Sequence, residues 1–203
     1  MVTGYKKNQG MRMRTIIQLS AMVCFLATAL AIQAQEYAPI EGAFGWTLGE
    51  ALPQETIEML PDEPDLVREG LAEYQQAFPP KPLDYFFNYQ IKTEPGPGAL
   101  VQIYASDKYL ASLEEYARED FGELKAILEN KYGPSCCELP KEWIDNGYAD
   151  SYQAERDGKG VYAYLREIPG EKDWKWEIYI EYIHWPLLKR TKAEDQAQKS
   201  NAL

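Results

Sequence analysis

Two cysteines stand side by side at Cys136 and Cys137, and they form the most reactive pairing in the chain. Adjacent cysteines can close on each other as a strained vicinal disulfide, bridge to another chain, or stay buried and reduced. A third cysteine, Cys24, lies inside an apolar run near the start. His184 is the only histidine, so a Ser-His-Asp or Cys-His mechanism would have to use it. Strand alternation puts it at the end of an apolar face, where it reads as a packed or rim residue. A structural zinc site wants about four ligands, and two cysteines with one distant histidine do not supply them. No Gly-x-Ser-x-Gly, His-Glu-x-x-His or P-loop pattern occurs. The sequence therefore assigns no catalytic residue, no metal and no cofactor.

Acids and aromatics are the surplus. Glu177 and Glu181 share one face of a strand, and Glu114, Glu115, Glu119 and Glu123 crowd a helix. Two carboxyls about 5–10 Å apart across a cleft would suit a hydrolase; a solvated acidic face is the plainer reading. Asp62-Glu63-Pro64-Asp65 lacks the ligand spacing of a calcium loop. Tyr162 and Tyr164 oppose Val161, Ala163 and Leu165, and Tyr179 opposes the face of Trp174, Trp176, Ile178, Ile180 and Tyr182. Tyrosines facing solvent would make a surface for protein or sugar, whereas a sheet covered on both faces would bury them. The predicted binding surface is Tyr162, Tyr164 and Tyr179 with acidic neighbours Glu177 and Glu181.

The elements that would position these residues are mostly strands. Residues 43–49 read as a first extended segment, and 54–60 and 65–78 as helical stretches, the second with Val67, Leu71, Tyr74 and Phe78 on one face. A hairpin follows over 85–93 and 99–106, turning at Glu94-Pro95-Gly96-Pro97-Gly98. Ser112 and Glu115 have capping-box spacing ahead of a helix that carries Leu113, Tyr116, Ala117, Phe121, Leu124, Ile127, Leu128 and Tyr132 at helical spacing and stops at Gly133-Pro134. Asp157-Gly158 is a turn, and strands over 161–166 and 174–182 close the domain. Strands clustered before and after one amphipathic helix predict an α+β fold, an antiparallel sheet with that helix packed on one face.

Three short motifs support a resemblance: Phe44-Gly45-Trp46-Thr47-Leu48-Gly49, then Lys81-Pro82-Leu83 before a Tyr/Phe-rich hairpin, then Glu129-Asn130-Lys131-Tyr132-Gly133 closing the helix. Over residues 44–184 the chain resembles a group of small uncharacterised bacterial exported proteins with a Phe-Gly-x-x-x-Gly opening and a helix ending Lys-Tyr-Gly. The resemblance implies an envelope or secreted location and the α+β arrangement, and no activity.

Location has its own signal. Arg12 and Arg14 precede an apolar run over Leu19–Ile32 that ends in small residues, the layout of a secretory signal peptide cleaved after Ala34. The reading is a leader at 1–34, a single domain at 35–188 and a flexible C-terminal tail at 189–203, with the product periplasmic or secreted. The 169 residues after the leader hold 17 basic and 32 acidic groups, a net charge of −15. Such a surface repels nucleic acid and anionic lipid. The expected partner is a protein or peptide with basic groups, with no nucleic acid and no membrane for the processed form. A carboxylate-dependent hydrolase of an exported polymer and a self-associating envelope protein are the rival readings.

Overall fold

Two-residue turns set the strand pairing. Phe44-Gly45, Glu69-Gly70 and Asp157-Gly158 each hold both residues at positive φ, between 51° and 87°. Consecutive positive φ values give the turn whose twist matches that of the flanking strands. Each pair sits between two residues in direct register: Ala43 with Trp46, Arg68 with Leu71, and Arg156 with Lys159.

The computed structural model describes residues 37–96, 98–170 and 172–201, so the predicted leader at 1–34 lies outside the described residues. The elements run β1 (Gly42–Ala43), β2 (Trp46–Thr47), α1 (Gln54–Met59), β3 (Leu66–Arg68), β4 (Leu71–Tyr74), β5 (Asn88–Thr93), β6 (Leu100–Leu110), a 3-10 turn (Ala111–Leu113), α2 (Glu114–Tyr132), α3 (Lys141–Asp145), β7 (Tyr148–Arg156), β8 (Lys159–Glu167), β9 (Trp174–His184) and α4 (Trp185–Asn201). Among the described residues β1 and β2 form a small ribbon, and the others form one seven-stranded sheet ordered β3-β4-β5-β6-β9-β8-β7. Every pairing is antiparallel. This is the predicted α+β arrangement.

The core lies between the sheet and α2. Ala117, Phe121, Leu124, Leu128 and Tyr132 form the buried stripe of the helix. They meet Ile103 and Ala105 of β6, Ile178, Ile180 and Tyr182 of β9, and Val161, Ala163 and Leu165 of β8 in one apolar cluster. Burial of such side chains stabilises by about 1.5–3 kcal/mol each. The helix ends at Gly133, whose φ of 95° and closeness to the Tyr37 ring exclude a side chain; a Cβ there would lie 2.8 Å from that ring. Tyr152 of β7 finishes the end of the helix, its hydroxyl donating to the carbonyls of Leu128 (3.2 Å) and Gly133 (2.9 Å).

Four expectations are corrected. Residues 65–78 carry a hairpin in place of a helix. The helical spacing of Val67, Leu71 and Tyr74 is accidental, because Glu69-Gly70 folds the chain back and leaves Val67 exposed. The strand expected from Tyr85 begins at Asn88, and Phe87 points into solvent at 84% exposure. Ser112 falls within the 3-10 turn and no side chain caps α2. Residues 189–203, expected as a flexible tail, are helical as far as Asn201 within α4. That stretch has no apolar stripe to announce a helix. It carries Arg190–Glu194 and Lys199–Asp195 pairs along the helix and Arg190–Glu94 and Lys192–Glu69 pairs to the sheet's turns. No helix among the described residues is long and apolar enough to cross a membrane.

Replacing Tyr152 by Phe removes the donor shared by two buried carbonyls at the end of α2. Stability should fall by about 1–2 kcal/mol, read as a lower midpoint in urea with an unchanged denaturant slope.

Candidate functional site

Strands β6, β9 and β8 are long, and both of their faces are occupied. The face away from α2 is built in rows that follow from register. Tyr104, Glu181 and Tyr162 form one row, Ser106, Tyr179 and Tyr164 the next, and Lys108, Glu177 and Arg166 the third. The alternation of β9 thus delivers Glu177, Tyr179 and Glu181 together, and β8 adds Tyr162 and Tyr164, so the five predicted residues do share a face.

Three of the five, Tyr162, Tyr164 and Glu177, are buried. Tyr162 and Tyr164 are only 8% and 5% exposed, which corrects the expectation of a free tyrosine surface. Two covers account for this. From α4, Trp185 packs edge-on against Tyr162 with its indole N–H donating to the tyrosine oxygen at 2.9 Å, and that hydroxyl in turn donates to Glu155. From α3, the Trp143 ring lies 4.9 Å from Tyr148 and 5.4 Å from Tyr164. Beside these covers, on β6 and β9, a strip stays half-buried, where Tyr104 and Tyr179 stack with ring centres 5.6 Å apart.

The two acids have different fates. Glu177 is 5% exposed and is held by Arg166, whose guanidinium reaches one carboxylate oxygen at 2.6 and 2.7 Å. The same guanidinium lies over the ring of Tyr179 at 5.0 Å. Glu181 forms part of a groove of about 530 Å³ bounded by β4 and β5, by the side chains of Leu66 and Ile183, and by Trp185 and Leu188 of α4. It accepts a hydrogen bond from the Gln102 amide, and burial raises its carboxyl pKa above the ordinary 4.5. Beside it Lys92 pairs with Glu73 at 3.3 Å. Glu177 and Glu181 are four residues apart on one strand, about 13–14 Å by strand rise. That exceeds the spacing of a glycosidase pair, and Arg166 already occupies Glu177.

Burial raises the hydroxyl pKa values of Tyr104, Tyr162, Tyr164 and Tyr179. These rings therefore act as neutral donors and stacking faces. The Tyr179 hydroxyl donates to that of Tyr148 at 3.2 Å. His184 is half-buried at the end of β9 and accepts the Leu187 backbone N–H on Nδ1 at 3.3 Å, in the first turn of α4. Burial, followed by the Lys159 charge, lowers its pKa, so it is a neutral packed residue. Cys136 and Cys137 are both exposed, which removes the buried, reduced reading, and their sulfurs lie 2.8 Å apart. Among the described residues no group of three or more His, Cys, Asp or Glu side chains is placed to hold a metal ion.

Gln102, Tyr104 and Arg166 belong to this face and were not singled out from sequence. Alternation opposite Ile103 and Ala105 points Gln102 and Tyr104 away from the core. Only the pairing of β6 with β9, 79 positions apart at Gln102 and Glu181, shows what they meet.

No protein-family model, curated protein or solved structure matches the chain.

Replacing Arg166 by Ala strands the Glu177 carboxylate in a dry site. The loss should be about 2–3 kcal/mol, below the full cost of breaking a buried pair because the arginine itself is partly exposed. Glu177→Gln should cost less, and a double-mutant cycle should return a coupling of about 1–2 kcal/mol. Glu181 gives a pH test. A carboxyl whose folded pKa is raised favours folding fully below its unfolded value, and that contribution is lost as pH rises through the folded pKa. Glu181→Gln should therefore melt higher than wild type at neutral pH, and the gap should close as pH falls towards 4.5 and below. A gap constant with pH would contradict the desolvation account.

Proposed function

We propose that this chain is an exported binding domain that engages a protein or peptide segment of the cell envelope through the strip formed by Tyr104, Tyr179 and Glu181. The observation that carries the reading is the half-buried Tyr104–Tyr179 stack on β6 and β9, beside the covered tyrosines of β7 and β8 on the same sheet face. Stacked tyrosines offer a wide apolar and π surface at low entropic cost. Glu181 next to them is a partly desolvated acid, one of its partners a neutral amide. A Lys or Arg side chain arriving beside an apolar residue would find both halves of its complement. The acidic balance of the whole chain, −11 in net charge, favours a basic partner in the same direction. The basic, then apolar leader supports an encounter in the periplasm or outside the cell.

The geometry favours binding over the two rivals. The acid pair proposed for hydrolysis is too widely spaced along its strand. Self-association through a sheet edge meets blunted edges: β3 has three residues, and Gln153 on β7 already pairs its N–H with Ser135 Oγ and its carbonyl with the Cys136 N–H.

Calorimetric titration against short peptides that carry Lys or Arg beside an aromatic residue tests the reading, with Asp- and Glu-bearing peptides as controls. Basic peptides should bind and acidic ones should not. Tyr104→Ala should weaken binding about tenfold, equivalent to ~1.4 kcal/mol, and Glu181→Gln should erase the preference for the basic set. Equal binding of both sets, or indifference to both substitutions in folded protein, would overturn the proposal.

A further inference from the structure

The segment between α2 and α3 holds its two cysteines in a defined pose. Ser135 Oγ accepts the Gln153 N–H at 3.1 Å and donates to the Cys137 carbonyl at 3.1 Å, while the Cys136 N–H donates to the Gln153 carbonyl at 2.8 Å. The backbone is thus tied to the rim of β7 directly at Ser135 and Cys136, and through Ser135 at Cys137. Both cysteines are exposed beside a surface hollow of about 580 Å³ that Lys125 and Asp150 also line, paired to each other at 2.8 Å. The sulfurs approach each other to 2.8 Å, inside ordinary nonbonded contact. Two exposed thiols directed at each other have no packing role that would account for the pose.

We propose that Cys136 and Cys137 form a thiol–disulfide exchange site that accepts the oxidation of an organic disulfide and closes as a vicinal disulfide. In the first step one cysteine, as thiolate, attacks a sulfur of the incoming disulfide R–S–S–R′. The mixed disulfide with R forms and R′S⁻ leaves, taking up a proton as R′SH. In the second step the other cysteine gives its proton to solvent and attacks the cysteine sulfur of the mixed disulfide. The ring closes and RS⁻ leaves to become RSH. The pair loses two electrons and two protons, and the incoming disulfide gains them as two thiols.

Burial, then the Cys137 sulfur, pushes the Cys136 thiol up to about 11, which keeps it protonated at neutral pH. Either sulfur can make the first attack once it loses its proton, and the other resolves. Resolution outcompetes bridging to a second chain because the resolving sulfur is already in contact, an effective concentration that no separate molecule matches. Adjacent Cα atoms are about 3.8 Å apart across a trans peptide, below the usual range for a disulfide, so the closed ring is strained and easily reduced. The site is a reversible carrier of oxidation, unlike a structural staple, and it acts independently of the tyrosine strip.

The test is intact-mass and alkylation analysis of the full chain carrying Cys24→Ser, after exposure to excess oxidised glutathione. The expected product has lost two hydrogens, resists alkylation at both Cys136 and Cys137, stays monomeric, and regains two alkylation sites when reduced glutathione is added. Cys136→Ser and Cys137→Ser should each stop at a persistent glutathione adduct on the remaining cysteine. Retention of both alkylation sites in the oxidised wild type, or accumulation of disulfide-linked dimers in place of the closed ring, would overturn the proposal.

Discussion

The register of β9 between β6 and β8 is the constraint on which the rest of the molecule depends. From Trp176 to Ile183 every residue of β9 is paired on both sides, so its two faces are fixed at once. Trp176, Ile178, Ile180 and Tyr182 go to the α2 core, and Glu177, Tyr179, Glu181 and Ile183 go to the other side. A slip of one residue would push two carboxylates under the helix and turn the largest apolar side chains outward. Each of those exchanges is costly alone, and pairing on both sides makes them inseparable. The tyrosine strip and its acids are thus by-products of a register that the core enforces.

A polar and aromatic layer on the second face is stable only where its members have partners. Arg166 supplies one for Glu177 and also covers Tyr179. Trp185 and Glu155 supply two for the Tyr162 hydroxyl, and Tyr148 supplies one for that of Tyr179. Where the covers from α3 and α4 stop, the same chemistry lies half-exposed. Glu181 is left with an amide donor in a desolvated groove, unlike the arginine-paired Glu177.

Much of this was legible in the sequence, for a definable reason. Period-two alternation over 161–166 and 174–182 assigned the two faces from Trp176 to Tyr182, because both strands are central and long, but Trp174, expected on the core face, is exposed beyond the register shift at Tyr109/Leu110. The stripe Ala117, Phe121, Leu124, Leu128 and Tyr132 announced α2 in the same way. Legibility failed where a local signal competed with a distant one. Val67, Leu71 and Tyr74 kept helical spacing, yet Glu69-Gly70 reversed the chain. The stretch after Lys189 lacked an apolar stripe, yet ion pairs to Glu69 and Glu94 accompany its winding into α4. Tyr162 and Tyr164 were placed on the correct face and still misread as exposed, since nothing in their own strand encodes Trp143 or Trp185.

The sequence alone determined which residues share a face, where the main helix stops, and that two cysteines are neighbours, because each of these follows from bond geometry over a few positions. Tertiary structure decided which faces are covered, that Gln102 meets Glu181, that Glu177 is ion-paired with Arg166 while Glu181 has an amide donor in a desolvated groove, and that both cysteines are exposed. Those outcomes depend on contacts between segments far apart along the chain. Solvation and partner charge there are properties of the assembled layers, and no local spacing carries them.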